Sequence, residues 1–253
     1  MNGGTGHNRG FGSGRHPPPR PPPRVPAYVY APVLAVTGTL GYCYYQCLDE
    51  VPFTGRLRVL ATSPQWERAM GDREHAKLLR KFRADILPPD HRASITVRRV
   101  GGRIAEAGGR FANRHLPASY EVTGEEPWTY TVVRSESANA FVLPGNHVFV
   151  LTGLFRYARD EDELAAVVGH ELAHNLARHA GERISGGLIA NLLAHLTFLI
   201  DPSGALYAVF VPATALLHDL PNSREAEMEA DRIGIHLAAD ACYDPRAAKR
   251  VFK

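Results

Sequence analysis

Cysteine is scarce in this chain of 253 residues: there are three, Cys43, Cys47 and Cys242, and no Cys-x-x-Cys pair among them. That excludes a disulfide framework and a thiolate zinc site. Cys43 and Cys47 stand four apart in an apolar stretch and read as buried free thiols. A large excess of charge is also lacking. The balance is 29 Lys and Arg against 26 Asp and Glu, a net +3 that does not suggest a nucleic-acid partner. Acidic residues are absent before Asp49, although Arg9, Arg15, Arg20 and Arg24 fall there. From Val25 to Leu48 no residue carries any charge.

These absences divide the chain. Residues 1–24 are a basic Gly- and Pro-rich segment with the run His16-Pro-Pro-Pro-Arg-Pro-Pro-Pro-Arg24, which cannot build a core and is expected to be disordered or polyproline-like. Residues 25–48 would reach about 36 Å as a helix, enough to cross a bilayer core of about 30 Å. Tyrosines near both ends fit interfacial anchors, so a membrane span is expected here, against Pro26, Pro32, Gly38 and Gly41. Residues 49–253 are then one domain large enough for a real core.

Within that domain Pro52-Phe-Thr-Gly55 predicts a turn, and the charge pattern predicts a helix from Gln65 to Ile86, stopped by Pro88-Pro89. A second amphipathic helix is expected from Arg92 to Ala107, closed by Gly108-Gly109. The texture then alternates through Trp128–Val133, Ala140–Leu143 and His147–Leu151, with a turn at Pro144-Gly145-Asn146, which predicts a small antiparallel sheet. Beyond it the chain reads as helical. Ile184–Ile200 and Ala205–Leu217 predict a helical hairpin that lies on a membrane or covers the site, the second being preferred. The fold class is α+β, mainly helical, with the sheet beside one central helix.

That helix opens on Asp160-Glu-Asp-Glu163 and carries Val168-Gly-His170-Glu171-Leu-Ala-His174. Histidines four apart share a helix face and can ligate one metal, and Glu171 can reach a water at the open fourth position and take its proton. Leu164, Val167, Val168, Leu172 and Leu176 make this an apolar helix, where unpartnered polar groups would cost several kcal/mol. An imidazole-rich set without thiolate suits one Zn2+. A third ligand must come from elsewhere. In Ser223-Arg-Glu225-Ala-Glu227-Met-Glu229-Ala-Asp231, Ser223 reads as a helix N-cap and Glu227 and Asp231 share a face. Glu227 is expected to bind zinc, and Asp231 to accept a hydrogen bond from a ligand histidine. Glu225 and Glu229 would point away as solvated charges. His179, five after His174, is expected to be structural or a helix-end charge partner, and His147 is left outside the site.

His-Glu-x-x-His followed by Glu-x-x-x-Asp resembles the membrane-associated gluzincin metallopeptidases that include HtpX and the prenyl-protein (CAAX) proteases, and within them the mitochondrial inner-membrane endopeptidases whose activity overlaps the m-AAA protease. Val51–Arg56, Asn139–Gly145, Pro221–Asp231 and Ala241–Arg246 carry the likeness further. The resemblance implies a zincin-like fold, with His170, His174 and Glu227 as zinc ligands, Glu171 as catalytic base, and Asp231 behind a ligand. It implies that Asn139, Ala140 and Phe141 lie on an edge strand that pairs with a protein or peptide substrate. It further implies cleavage of membrane or misfolded proteins at the mitochondrial inner membrane, in contact with the lipid bilayer; a homo-oligomer is compatible with it. Family members carry a Ser-Thr-His-Pro-like stretch after the Asp-Pro-Arg segment, whose histidine is a candidate oxyanion donor, whereas this sequence stops at Lys253. The alternative expectation is therefore a catalytically silent zinc-binding membrane protein.

Overall fold

The computed structural model describes Gly3 and residues 27–51, 53–115 and 127–252. The basic segment 1–24, apart from Gly3, and Pro52 of the expected turn lie outside the described residues. By its internal contacts the chain divides into two units, Met1–Cys43 and Tyr44–Lys253. The first is dominated by helix α1, Ala27–Gln46, which continues a few residues past that division.

Helix α1 corrects two expectations. The thiols on it and just after it are not buried: Cys43 is exposed and Cys47 half-buried. It is helical and uncharged, yet among the described residues no helix is long and apolar enough to cross a membrane. The physical reason is dilution. Five tyrosines, two threonines, two glycines, Pro32 and Gln46 replace aliphatic side chains in a helix of 20 residues.

In the second unit, strands β1 (Leu48–Glu50) and β2 (Leu57–Val59) form an antiparallel hairpin closed by a turn with Gly55 at φ 70°. Helix α2 runs from Pro64 to Lys81, with Ser63 accepting from the Trp66 backbone as N-cap and proline in its first turn. Helix α3 runs from Arg92 to His115, straight through Gly108-Gly109, which the sequence suggested as its end. The apolar stripe explains this. Ile104, Ala107, Gly108, Phe111 and Ala112 are all buried at helical spacing, and their burial outweighs the helix cost of about 1 kcal/mol per glycine.

The sheet contains β3 (Thr129–Val133), β4 (Ala140–Leu143) and β5 (His147–Leu151), in the order β3-β5-β4. The β4–β5 pairing is antiparallel, with Ala140 opposite Val150 and Leu143 opposite His147 across the turn at Gly145 (φ 90°) and Asn146 (φ 67°). The β3–β5 pairing is parallel, so the sheet is mixed rather than wholly antiparallel. Here β5 is the inner strand and β4 lies at an edge. Burial on both faces explains why His147–Val150 are all buried.

Helix α4 (Glu161–Leu176) packs between α3, β4 and α6. Helix α5 (His179–Leu196) follows Arg178, whose φ of 54° turns the chain sharply. Helix α6 runs unbroken from Ala205 to Asp240, so Ser223 lies inside a helix that begins after Gly204, not at a helix start. The pair α5–α6 is the expected hairpin. Its first residues, His179, Glu182 and Ser185, are buried, while Leu188, Leu192, Leu193, Leu196, Ile200 and Val209 toward its far end are exposed rather than folded over a site. A short 3-10 turn at Pro245–Ala247 and helix α7 (Ala248–Val251) return the chain to α4.

Candidate metal centre

Asp160 starts α4: its carboxylate accepts from the Glu163 backbone at 2.7 Å, and Glu163 accepts from the Arg159 backbone at 2.8 Å. Leu164, Ala165, Val168, Leu172 and Ala173 are buried, which fixes the rotation of the helix and aims one stripe at α6. His170 and His174 stand on that stripe, one turn apart. The approach of α6 depends on two glycines. A β-carbon on Gly234 would lie 2.9 Å from the His170 backbone nitrogen, and one on Gly169 would lie 3.1 Å from the Gly234 carbonyl oxygen. Backbone meets backbone there, and Glu227 and Asp231, earlier on α6, are carried within reach of the imidazoles.

The three side chains converge. His170 Nε2 and His174 Nε2 are 3.0 Å apart, and the Glu227 carboxylate oxygens lie 3.3 Å from the first and 3.6 Å from the second. One ligand atom from each falls within 4.8 Å of the others. Tetrahedral coordination with bonds of about 2.0–2.2 Å separates ligand atoms by roughly 3.3–3.6 Å, so this donor set fits a zinc-sized cation. Two imidazoles and a carboxylate, without thiolate, have the chemistry zinc accepts. The histidine side chains are 12% and 25% exposed and Glu227 is 56% exposed, so the cluster opens toward solvent on one side.

Electrostatics prepares the groups. Burial, then the neighbouring charges of His179, His170 and Arg183, lower the His174 pKa to about 3, which keeps it neutral as a ligand must be. Burial, then Glu227, pushes the Glu171 carboxyl up to about 7. A cation between the histidines acts on Glu171 in the opposite sense and favours the carboxylate.

Behind the cluster the sequence expectations divide. Asp231 stands where it was expected, with Oδ1 2.9 Å from His170 Nδ1. Glu229 does not. Far from being a solvated charge, its side chain is 3% exposed, and it lies 2.9 Å from His179 Nε2 and 3.0 Å from an Arg56 guanidinium nitrogen, with Thr54 also donating to it. Two positions beyond Glu227 turns it to the far side of α6. That side is covered by the start of α5 and the β1–β2 turn rather than by water. Arg56 also donates two hydrogen bonds to Glu182, at 2.6 and 2.7 Å. His179 is buried, and its Nδ1 lies 2.8 Å from His174 Nδ1. Nothing in local spacing announced this cluster. The one signal was that Val51–Arg56 belonged to the segments carrying the family likeness.

Asn139, Ala140 and Phe141 are at the edge strand, beside α4 but not in the ligand cluster. Ala140 is buried in the core and Phe141 stacks on Phe149 with ring centres 5.1 Å apart, while Asn139 is exposed and its carbonyl accepts from the Leu151 backbone. Their side chains are mostly committed; what β4 presents outward is backbone. His147 lies apart from the cluster, its ring nitrogens each 2.8 Å from Asp72 and Thr129.

A helix bearing His-Glu-x-x-His, met by a glutamate from a second helix on a mainly helical α+β fold, is the side-chain arrangement of the gluzincin type of metallopeptidase. The chain belongs to peptidase family M48, whose model matches residues 104–252. It is 35% identical over 214 residues to the mitochondrial metalloendopeptidase OMA1 of Schizosaccharomyces pombe, covering 84% of this chain and 59% of that protein. To the mitochondrial metalloendopeptidase OMA1 of Bos taurus it is 35% identical over 214 residues, covering 81% of this chain and 39% of the relative. The beta-barrel assembly-enhancing protease of Escherichia coli is 30% identical over 132 residues, covering 48% and 26%. The chain thus spans no more than 59% of the length of these relatives.

Proposed function

We propose that the protein is a zinc-dependent endopeptidase. The observation that carries this is the convergence of His170, His174 and Glu227 around a space fit for one cation, with the half-buried Glu171 on the turn between the two histidines. When bound there, zinc supplies Lewis acidity toward a water and toward the scissile carbonyl. Glu171, held as a carboxylate by the cation beside it, takes the proton of the attacking water and hands it to the leaving amine. His170 and His174 hold the metal as neutral ligands, Glu227 completes the set from α6, and Asp231 fixes the ring of His170.

The substrate is an extended protein or peptide chain that adds to the outer edge of β4 at Asn139–Phe141, since a free strand edge beside the site offers backbone donors and acceptors in register. In this reading residues 49–253 form the peptidase domain. Two of the relatives named above are called mitochondrial, which supports a mitochondrial location. Placement at the inner membrane, with membrane or misfolded proteins as substrates, draws on the family likeness. Exposed Tyr30, Leu34, Val36 and Leu40 on α1 give the N-terminal unit an apolar surface for such contact.

Cleavage of casein or a peptide, with and without chelator, tests the reading. Glu171→Gln should lower turnover by about 10²–10⁴-fold with zinc content unchanged. Equal turnover in the two proteins would remove the enzyme reading. Absence of turnover in both, with zinc retained, would instead support a catalytically silent zinc-binding protein.

A further inference from the structure

The two ligand histidines are alike in sequence and differ in what stands behind them. His170 has a carboxylate at its far nitrogen. His174 has another imidazole, with Nδ1 against Nδ1 at 2.8 Å. Two ring nitrogens at that separation share one proton, so one donates and the other accepts. His174 must present the lone pair of Nε2 toward the cluster, which puts its proton on Nδ1 and makes it the donor. His179 Nδ1 is then the acceptor, and the proton of His179 sits on Nε2. That nitrogen lies 2.9 Å from Glu229, whose carboxylate can only accept. Both tautomers therefore follow from Glu229. The carboxylate is in turn held by donors from Thr54 and Arg56, and Arg56 is itself clamped by Glu182.

We propose that Glu229, acting through His179, positions His174 for metal binding, and that Thr54 and Arg56 in the β1–β2 turn hold Glu229 in place. None of the four touches the reacting atoms; they are positioning residues. The chain of contacts joins the metal cluster to a turn that lies 173 residues before Glu229, so the β1–β2 hairpin is part of what makes the ligand set. A purely structural account would leave His179 as a buried polar group satisfied by Glu229. It does not explain why its second nitrogen meets the far side of a ligand. The inference rests on the zinc reading above and is tested separately from it.

The test is zinc affinity by chelator competition on the purified full chain, with thermal unfolding of the metal-free proteins read alongside. His179→Leu, which cannot accept, should weaken zinc binding by about 10–100-fold. His179→Asn, whose side-chain oxygen can take the place of Nδ1, should restore most of the affinity. Zinc held as tightly by His179→Leu as by wild type overturns the proposal, and so does an Asn variant as weak as the Leu variant. A loss of thermal stability with unchanged affinity assigns His179 a structural role only and also overturns it. If wild type binds no zinc, the peptidase reading itself fails, an outcome distinct from these. Should His179→Leu not fold, histidine ¹⁵N NMR of the zinc-loaded wild type decides. Expected is His179 protonated at Nε2 and bare at Nδ1; a proton on Nδ1 overturns the assignment.

Discussion

His170 and His174 sit one turn apart on the same helix, yet the molecule supports them by different means. His170 is backed by Asp231, a side chain 57% exposed on the open flank of α6. His174 is backed by a buried cluster in which His179 is 5%, Glu229 3%, Glu182 10% and Arg56 15% exposed at the side chain. The exposed support is local to the motif and cheap to alter. The buried one reaches three segments of the chain, and altering it disturbs the fold as well as the ligand. Charge taken out of water must be matched on every side, which ties distant segments together.

The sharpest way to break this contrast is to remove the cation that the buried side depends on. Arg56→Met takes the guanidinium from between Glu182 and Glu229, leaving Glu182 only the more distant Arg58 at 4.0 Å, and should cost about 3–5 kcal/mol in unfolding free energy by denaturant titration. A cost under about 1 kcal/mol would mean that the buried flank is not locked. Gly234→Ala comes next. It drives a β-carbon into the His170 backbone, and should cost about 1–3 kcal/mol and weaken zinc binding as the helices part. Gly108→Ala is its control: a β-carbon there meets Leu176 at an ordinary 3.5 Å, so it should be neutral or stabilising by up to about 1 kcal/mol.

Acid sharpens the contrast further. Burial raises the Glu229 pKa, but hydrogen bonds from His179, Thr54 and Arg56 and the charge of Arg56 outweigh it and bring it from 4.5 to about 2. A carboxylate depressed on folding contributes stability that is complete above about pH 4.5 and is lost as the pH falls through 2. The unfolding midpoint of wild type should therefore decline between pH 4.5 and 2, and Glu229→Gln should flatten that limb. An unchanged slope would remove Glu229 from the account. The smallest stability effect belongs to the exposed side. Asp231→Asn should change stability by less than about 0.5 kcal/mol while weakening zinc affinity by roughly tenfold. A large loss of stability there would erase the distinction between the two flanks.

The parts of the site legible in the sequence are those whose geometry is intrinsic to one helix. His170, Glu171 and His174 are related by helical spacing, the acidic opening from Asp160 to Glu163 by the helix dipole, and Glu227 and Asp231 by a second helical interval. Their residues alone place them. The burial of Glu229 is not legible, because helical spacing says which way a side chain leaves α6 but not what covers that side. The place of His179 is hidden for a similar reason: five residues after His174 it is off the stripe of His170 and His174, and only the turn at Arg178 brings its ring back. The strands were legible from alternation, but their order was not. Alternation is the same in a parallel and an antiparallel partner, and the choice of β5 rather than β4 beside β3 is made by packing. Gly108-Gly109 read as a stop because propensity is local, whereas the burial of Phe111 and Ala112 is not.

By itself the sequence determined what a helix or a turn can encode within a few residues: an apolar helix with two imidazoles and a carboxylate, a second helix with two carboxylates on one face, alternating strands, and an uncharged N-terminal stretch. The tertiary structure decided how these meet. It alone set β4 at the edge, crossed α4 and α6 at Gly169 and Gly234, and buried the Arg56–Glu229–His179 cluster behind His174. The reason is that spacing along a helix is fixed by the covalent chain, whereas burial of a charge is settled only when separate segments close around it.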